Sequence, residues 1–596
     1  MKINKYTGFI ILAATIASCS DWNDWNTTQA NMNTTAEKSL WENIAAKPEL
    51  QNFKQILEAT GMQQVLEAKK FYTLWAPQLT NAQRDSILAL DSATIVQQFI
   101  NNHIAEYNHQ ASGIIAERIH TLNEKSYNFT SENGIYKFND VELISRNIPN
   151  SNGTMHILKS NSPFLPNAYQ GLWLTQDIDS LANYFKKYEL TTLDESKSVA
   201  GPMVNGKQTY IDSVMVTFNT MTDNIHARLD SEDSLYTILL PNNDAYKKLY
   251  DKIASLYTYA EATKSQDVEN ATATTYTTLT APTIDMSYLK DSLIRRQIVN
   301  NLAYSHTNKY NAKFFECVPY TYKGTGEPED TVYSTYRQKF SEPEQIFSPE
   351  HIVQTVRLSN GTGFVVDSLT FKSWETFNPE RKMAGTRAIR TLSANRTNVY
   401  VNYPDSSKVD LTDGTILSYV QAEPTSGFAK PEVDFYLEGV LSGTYRIYVV
   451  IPPADIDLTT DSTTKVLPNW LNFTLNYYDS KTSKLVDYAF TNERYEVGKD
   501  TIITYSDKGA EVRTIAKNTD FFNTTTKVDT LLLGEVTFPC CYAGLGSYYP
   551  NIKVTMPSTF STLASRGHTK AFDRTIRICA IILRPVEYDK YLKDEE

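Results

Sequence analysis

Tyr236-Thr237-Ile238-Leu239-Leu240-Pro241-Asn242-Asn243-Asp244-Ala245-Tyr246 reads as a short buried strand ended by a proline, then a polar capping region that opens a helix. An earlier stretch has the same form: Tyr72-Thr73-Leu74-Trp75-Ala76-Pro77, followed by a helix-like run from Thr80 to Leu90. Two more pairs follow in the same order. Phe99-Ile100-Asn101-Asn102-His103-Ile104 ends an amphipathic helix, and its counterpart is Ile298-Val299-Asn300-Asn301-Leu302-Ala303. Ser151-Asn152-Gly153-Thr154-Met155-His156-Ile157-Leu158 is an Asn-Gly turn feeding a strand. Ser359-Asn360-Gly361-Thr362-Gly363-Phe364-Val365-Val366-Asp367 repeats it. Gly153 and Gly361 are expected to supply the positive φ of a tight hairpin turn.

Three boxes, in one order, twice over, constitute an internal repeat. They resemble the fasciclin domain, whose hallmarks are a strand of the type T-x-F-A-P-T-N-x-A-F, a helix ending in histidine, and a closing N-G-x-x-x-x-x-D. The residues that carry the resemblance are Thr73, Ala76, Pro77, His103, Asn152 and Gly153 in the first copy. In the second they are Thr237, Pro241, Asn242, Asp244, Asn360, Gly361 and Asp367. The first copy has Gln78-Leu79 where the family has Thr-Asn, and Leu302 stands in the second copy at the histidine position. The resemblance implies a mixed α/β fold, with a small sandwich-like core flanked by helices, and an adhesive or protein-binding role.

Spacing separates the copies. Thr73 to Gly153 is 80 residues and Thr237 to Gly361 is 124. Most of the excess precedes Asn301 and coincides with Tyr257 to Thr283, an expected surface insertion, either a loop or an added hairpin. Thr35 is placed to cap a first helix that ends before Pro48, and Pro48 to open a second through Ala59. Leu172 to Tyr188 begins the second copy similarly.

Beyond Arg381 helical periodicity fades. Asn398–Tyr403, Ile416–Gln421, Val433–Leu437, Thr444–Ile451, Leu471–Tyr478, Leu531–Phe538, Ile552–Met556 and Thr575–Leu583 read as strands, so a β-sandwich or jelly roll is expected. The alternating Thr444-Tyr445-Arg446-Ile447-Tyr448-Val449 looks like a strand of carbohydrate-binding-like sandwiches. Its tyrosines either stack on sugar or pack and satisfy a hydroxyl. The fold class is therefore α+β: two diverged fasciclin domains (34–168 and 169–379, the second with its insertion near 257–283) and an all-β C-terminal domain (380–596).

The N-terminus reads as an address. Lys2 and Lys5 precede an apolar run of about nine residues, short of the roughly 20 that span a bilayer, so residues 1–18 are expected to be a signal peptide. Ile16-Ala17-Ser18-Cys19 resembles a lipobox, with Ile16 where leucine is usual. The resemblance implies a diacylated Cys19 anchoring the chain to the outer membrane. Residues 19–33 form a polar tether, in which Ser20, Asp21 and Asp24 resemble the export signal of Bacteroidetes surface lipoproteins; a plain solvated tether is the alternative.

Composition excludes several classes. The chain has 596 residues, 41% hydrophobic and 21% charged, which is globular. The net charge of -11 argues against a nucleic-acid partner. There is no phosphate-binding loop, H-E-x-x-H, nucleophile elbow or dinucleotide fingerprint. No cofactor and no enzymatic activity are expected. Of five cysteines, Cys317, Cys540, Cys541 and Cys579 remain after Cys19. Cys579 either bonds one of the adjacent pair or all stay buried thiols. Asp455, Asp457 and Asp461 form either a Ca²⁺ loop or a solvated turn. The expected partners are the membrane through the lipid and an outer-membrane transporter or another surface lipoprotein, with glycan capture by the C-terminal domain as the alternative.

Overall fold

The computed structural model describes residues 36–204, 206–259, 266–269, 276–279, 286–316, 331–385, 389–390, 397–403, 418–426, 429–453, 456, 467, 469–479, 484–492, 501–505, 510–515, 519–523, 528–544, 550–557 and 572–595. Cys19, Ser20, Asp21, Asp24, Thr35, Cys317, Asp455, Asp457 and Asp461 lie outside these residues. Two compact units result: 1–243 with 302–337 and 341–368, and 244–301 with 338–340 and 369–596. These are not the boundaries at 168/169 and 379/380 expected from the repeat. Backbone ties explain the assignment of 244–301. The carbonyl of Leu256 accepts from Ser442 N and Oγ at 2.9 and 2.6 Å, and Cys541 N donates to Thr258 O at 2.7 Å.

The first unit holds two lobes. In the first, helix Leu40–Ala46 starts at Ser39, whose hydroxyl and Glu42 form a reciprocal capping box. Pro48 opens a short 3-10 turn leading into helix Gln51–Thr60. Strand Tyr72–Pro77 lies beside Gly153–Leu158 in parallel, and the seven-stranded sheet runs on through Val141–Asn150, Ile135–Phe138, Ser126–Glu132 and Ala116–His120. Its two faces serve two cores. Leu74 and Ala76 pack with the helical Phe53, Ile56 and Leu57. On the other face Trp75 stacks on Phe138, centroids 4.3 Å apart, with Tyr127 and Phe129 beside it. All six residues of Tyr72–Pro77 are therefore buried, as a continuous apolar strand requires.

The second lobe repeats the centre of this sheet. Tyr236–Pro241 pairs in parallel with Gly361–Val366, flanked by Ala303–Ser305 and Ile352–Leu358. Leu302 directly precedes Ala303–Ser305, just as His103 directly precedes Ile104–Glu106. Between helix Asp179–Lys186 and this sheet the chain forms a two-stranded ribbon that the repeat gave no warning of. In the 257–283 insertion, Gln266–Glu269 and Tyr276–Leu279 pair as a hairpin.

In the second unit, Gly443–Ile451 pairs with Asp529–Phe538 and Ala580–Pro585 in one antiparallel sheet, and Asn469–Asp479 pairs with Asn551–Thr555 and Lys484–Ala489 in another. Tyr445, Ile447 and Val449 alternate inward to meet Phe435, Phe473, Leu475, Ile552 and Val554 in one core, which makes a β-sandwich. The run expected as one strand from Thr575 to Leu583 is two, Ile576–Ile578 and Ala580–Pro585. They part at Cys579, whose N–H donates to Val450 O at 2.8 Å. A closing helix, Val586–Glu595, was not anticipated. Cys540, Cys541 and Cys579 are all buried.

Candidate functional site

The closing boxes place Asn152 and Asn360 at equivalent hairpin turns, and each is a clip. Asn152 Oδ1 accepts from Leu40 N at 2.9 Å, and its Nδ2 donates to Leu66 O and Ala68 O at 2.7 and 2.8 Å. Asn360 Oδ1 accepts from Ala168 N at 2.7 Å, and its Nδ2 donates to Leu229 O and Ser231 O at 2.9 and 2.8 Å. Each amide thus satisfies one orphan N–H at the start of its lobe's first helix and two carbonyls of the segment entering its sheet. Removing such a buried amide leaves three backbone groups unmet. Asn152→Ala is expected to cost about 2–4 kcal/mol in urea unfolding. Asn152→Asp should cost no less, because its charge would face two carbonyls. A loss below ~1 kcal/mol for the alanine variant would remove the clip's importance.

The glycines after these clips are required by close approach. A Cβ on Gly153 would stand 2.3 Å from Tyr72 O, and one on Gly361 1.8 Å from Tyr236 O. Gly361 has φ +150°, but Gly153 is absent from the positive-φ glycines. The expectation of a positive-φ turn at Gly153 is therefore corrected: the parallel neighbour, not the turn, excludes a side chain there.

The remaining box residues sit in the strands, turns and helix start that frame the two sheets. Thr73 Oγ1 donates to Tyr107 O at 2.7 Å and accepts from His109 N at 2.9 Å. Thr237 Oγ1 meets His306 Nε2 at 2.9 Å. Ala76 and Pro77 close the buried strand, and Pro241 closes its counterpart. Asn242 N donates to Val366 O at 2.9 Å, and Asp244 lies in the first turn of helix Asn243–Ala254. Asp367 meets His351 Nδ1 at 3.2 Å.

His103 is fully buried. Its Nδ1 faces Phe99 O at 2.7 Å and its Nε2 accepts from Ser162 N at 3.2 Å, an arrangement that only the neutral ring satisfies. His156 is likewise neutral: Nε2 faces His109 O at 2.9 Å and Nδ1 accepts from Asn147 N at 3.3 Å. Burial pushes both down to about 4. Their folded values lie below the unfolded value near 6.5, so their contribution is complete above about pH 6.5 and is lost as pH falls toward 4. Each is worth on the order of 3 kcal/mol at neutrality. Thermal melts of the first unit's transition should fall steeply between pH 6.5 and 4.5; a flat midpoint across that range would contradict the assignment.

Between the lobes of the first unit sits a buried carboxylate that motif reading missed. Glu232 is 8% exposed at its side chain. It meets Lys125 Nζ at 3.2 Å and Arg118 at 3.8 Å, and accepts from Ser359 Oγ at 2.7 Å and Ser126 N at 3.3 Å. Burial lowers the Lys125 ammonium, and the Glu232 charge opposes that fall. The partners are more than a hundred residues apart, so no local pattern announces them.

Strand Gly443–Ile451 commits both its tyrosines to structure. Tyr445 is buried and its hydroxyl donates to Asn378 Oδ1 at 2.8 Å. Tyr448 donates to Asp589 Oδ1 at 2.5 Å. Asp589, 1% exposed on the closing helix, also meets Arg446, Arg584 Nη1 at 3.3 Å and Lys593 at 3.0 Å. Trp374 stacks against Tyr588 of the same helix. Among the described residues, no three His, Cys, Asp or Glu side chains gather as a metal site, and no helix is long and apolar enough to cross a membrane.

Helices packed against a sheet with a central parallel pair define the class of the first lobe, and residues 48–160 match the family model of the fasciclin domain. Fasciclin domains are non-enzymatic and are associated with cell adhesion and protein–protein interaction. No curated protein matches the chain. Among solved structures, a FAS1 domain pair from the insect cell adhesion molecule fasciclin I is 12% identical, covering 55% of this chain and 98% of that one, at TM-score 0.19. The CBM22-1–GH10 modules of Clostridium thermocellum endo-1,4-beta-D-xylanase 10B are 7% identical, covering 33% and 28%, at 0.18. Bacteriophage CBA120 tailspike protein 4 is 6% identical, covering 34% and 18%, at 0.13. Scores this low do not establish a shared fold. The α+β class thus rests on a fasciclin domain and a mostly-strand C-terminal part.

Proposed function

We propose that the protein is a non-enzymatic interaction scaffold of the cell surface, anchored in the outer membrane through a lipidated Cys19 and serving as an accessory subunit of a nutrient-uptake complex. The observation that carries this reading is the fasciclin domain at 48–160, a domain type associated with adhesion and protein binding. The use of its polar box residues supports it: Thr73, His103 and Asn152 are committed to backbone groups. The second lobe, with the same central strand pairing and an equivalent Asn360 clip, acts as a second, diverged fasciclin domain. The leader, Cys19 and the acidic residues behind it motivate the surface address.

Two measurements test it. Protease added to intact cells should digest the chain, and Cys19→Ser should release it from the membrane fraction; a protected wild-type chain defeats the surface address. The tagged full chain, purified from solubilised outer membrane, should bring with it a transporter or a second lipoprotein. Recovery of the chain alone defeats the accessory role.

A further inference from the structure

The two lobes of the first unit end their sheets differently. In the first lobe, Val141–Asn150 is covered by three more strands. In the second lobe the equivalent strand, Ile352–Leu358, is the edge among the described residues. Val353 is 58% exposed, and Gln354, Thr355 and Arg357 are exposed with it. Alternate backbone N–H and C=O groups of an edge strand face outward, a template for another strand. Alongside runs an open groove of about 450 Å³, lined by Phe164, Pro166, Leu174, Thr175, Gln354 and Val356.

The same lobe carries a strand pair without a sheet. Glu189–Leu193 pairs only with Met215–Asn219 among the described residues, and the ribbon continues through Val199–Val204 and Lys207–Asp212. Its apolar side chains face solvent: Leu190 is 49% exposed, Phe218 43% and Ile211 77%. A two-stranded ribbon is marginal alone in water, and exposed apolar clusters mark contact surfaces.

We propose that Glu189–Leu193 of a second copy of this chain adds, antiparallel, to the edge strand Ile352–Leu358. One register matches every pair by type. Setting Arg357 opposite Glu189 places Val356 against Leu190, Thr355 against Thr191, Gln354 against Thr192 and Val353 against Leu193. Charge meets charge, hydroxyl meets hydroxyl and apolar meets apolar, which is how cross-strand pairs stabilise a sheet. Backbone hydrogen bonds supply the attraction and the side-chain pairs fix the register. Leu190 and Val216, on one ribbon face, then have the groove beside Val356 to fill. A slip by one residue would set Arg357 against Leu190 and turn each ribbon side chain to the other face. The contact is small beside the roughly 1,200–2,000 Å² of stable interfaces, so association in the micromolar range is expected. It is independent of the anchoring proposed above.

Sedimentation of the purified full chain at ~100 µM should show self-association, in line with a contact below standard size. Arg357→Glu should abolish it and Glu189→Arg should abolish it, while the two variants mixed, or both changes in one chain, should restore it. Because Glu189 also accepts from Tyr169 Oη and Arg357 also pairs with Asp140 of its own chain, a second measurement avoids charge. Val353→Cys and Leu193→Cys chains, mixed and oxidised with diamide, should form a cross-linked dimer. Val353→Cys mixed with Thr192→Cys should not. A monomeric wild type, self-association that both charge variants leave intact, or equal cross-linking in the two mixtures overturns the proposal.

Discussion

Gly361→Ala is expected to destabilise the first unit by on the order of 4 kcal/mol, the upper range for a single substitution. The new Cβ would sit 1.8 Å from Tyr236 O and within 3 Å of two more backbone atoms of that residue. No side-chain rotation relieves a clash with backbone. The parallel pairing of Tyr236–Pro241 with Gly361–Val366 must instead open at its first residue pair, in the middle of the four-stranded sheet. The φ of +150° adds strain for any residue with a side chain. Urea unfolding followed by tryptophan fluorescence reads the loss. Gly153→Ala, whose Cβ would stand 2.3 Å from Tyr72 O, should show a similar but smaller effect in the first lobe. A Gly361→Ala midpoint within error of wild type would mean that the strands can part at no cost, against the close-approach argument.

Asp589→Asn is expected to cost the second unit about 3–5 kcal/mol, the usual result of stripping one partner from a buried ionic cluster. Asparagine keeps the shape but leaves Arg446 and Arg584 facing an uncharged, 1% exposed side chain. The helix Val586–Glu595 then keeps its aromatic brace to Trp374 and the hydrogen bond from Ser373 to Glu587. Burial pushes the Asp589 carboxyl up, but the hydrogen bonds from Tyr448, Lys593 and Arg446 outweigh it and hold the group below the ordinary carboxylate range. Its folded value is depressed, so its contribution is present above the unfolded value of about 3.9 and lost as pH falls further. The two units should therefore lose stability in acid in sequence. The histidine-bearing first unit weakens from about pH 6.5 downward, the second only below about pH 4. Differential scanning calorimetry across pH 7 to 3 resolves the order; simultaneous loss of both transitions would contradict it.

The repeat boxes were legible because they are local. A strand stopped by proline and an Asn-Gly hairpin each need only a few consecutive residues, and Tyr72–Pro77 and Tyr236–Pro241 are where their patterns put them. The sandwich strands were legible for the same reason, with Gly443–Ile451 alternating as its sequence does. The meander from Ala116 to Phe138 was not: its strands are short and carry polar residues on the outer face, so their periodicity is weak. The ribbon Glu189–Asn219 was hidden because it lies before Thr237, outside the spacing that exposed the other insertion. Glu232 and Asp589 look like ordinary surface acids in sequence. Only tertiary structure brings Lys125 to one and Arg446 and Arg584 to the other. The grouping of 244–301 was not legible either, because the residues after Ala254 bond to Ser442 and Cys541, nearly two hundred and three hundred positions on.

The asparagine clips bear on how such a chain is assembled in evolution. Asn152 holds the amide of Leu40, so the first lobe's opening helix is pinned to its last hairpin; Asn360 holds that of Ala168 and does the same for the second. A module whose first and last segments are pinned to each other carries its own closure, so a gene can copy it as one unit. It can also accept long inserted segments in one copy and not the other, since the clip that seals it stays untouched.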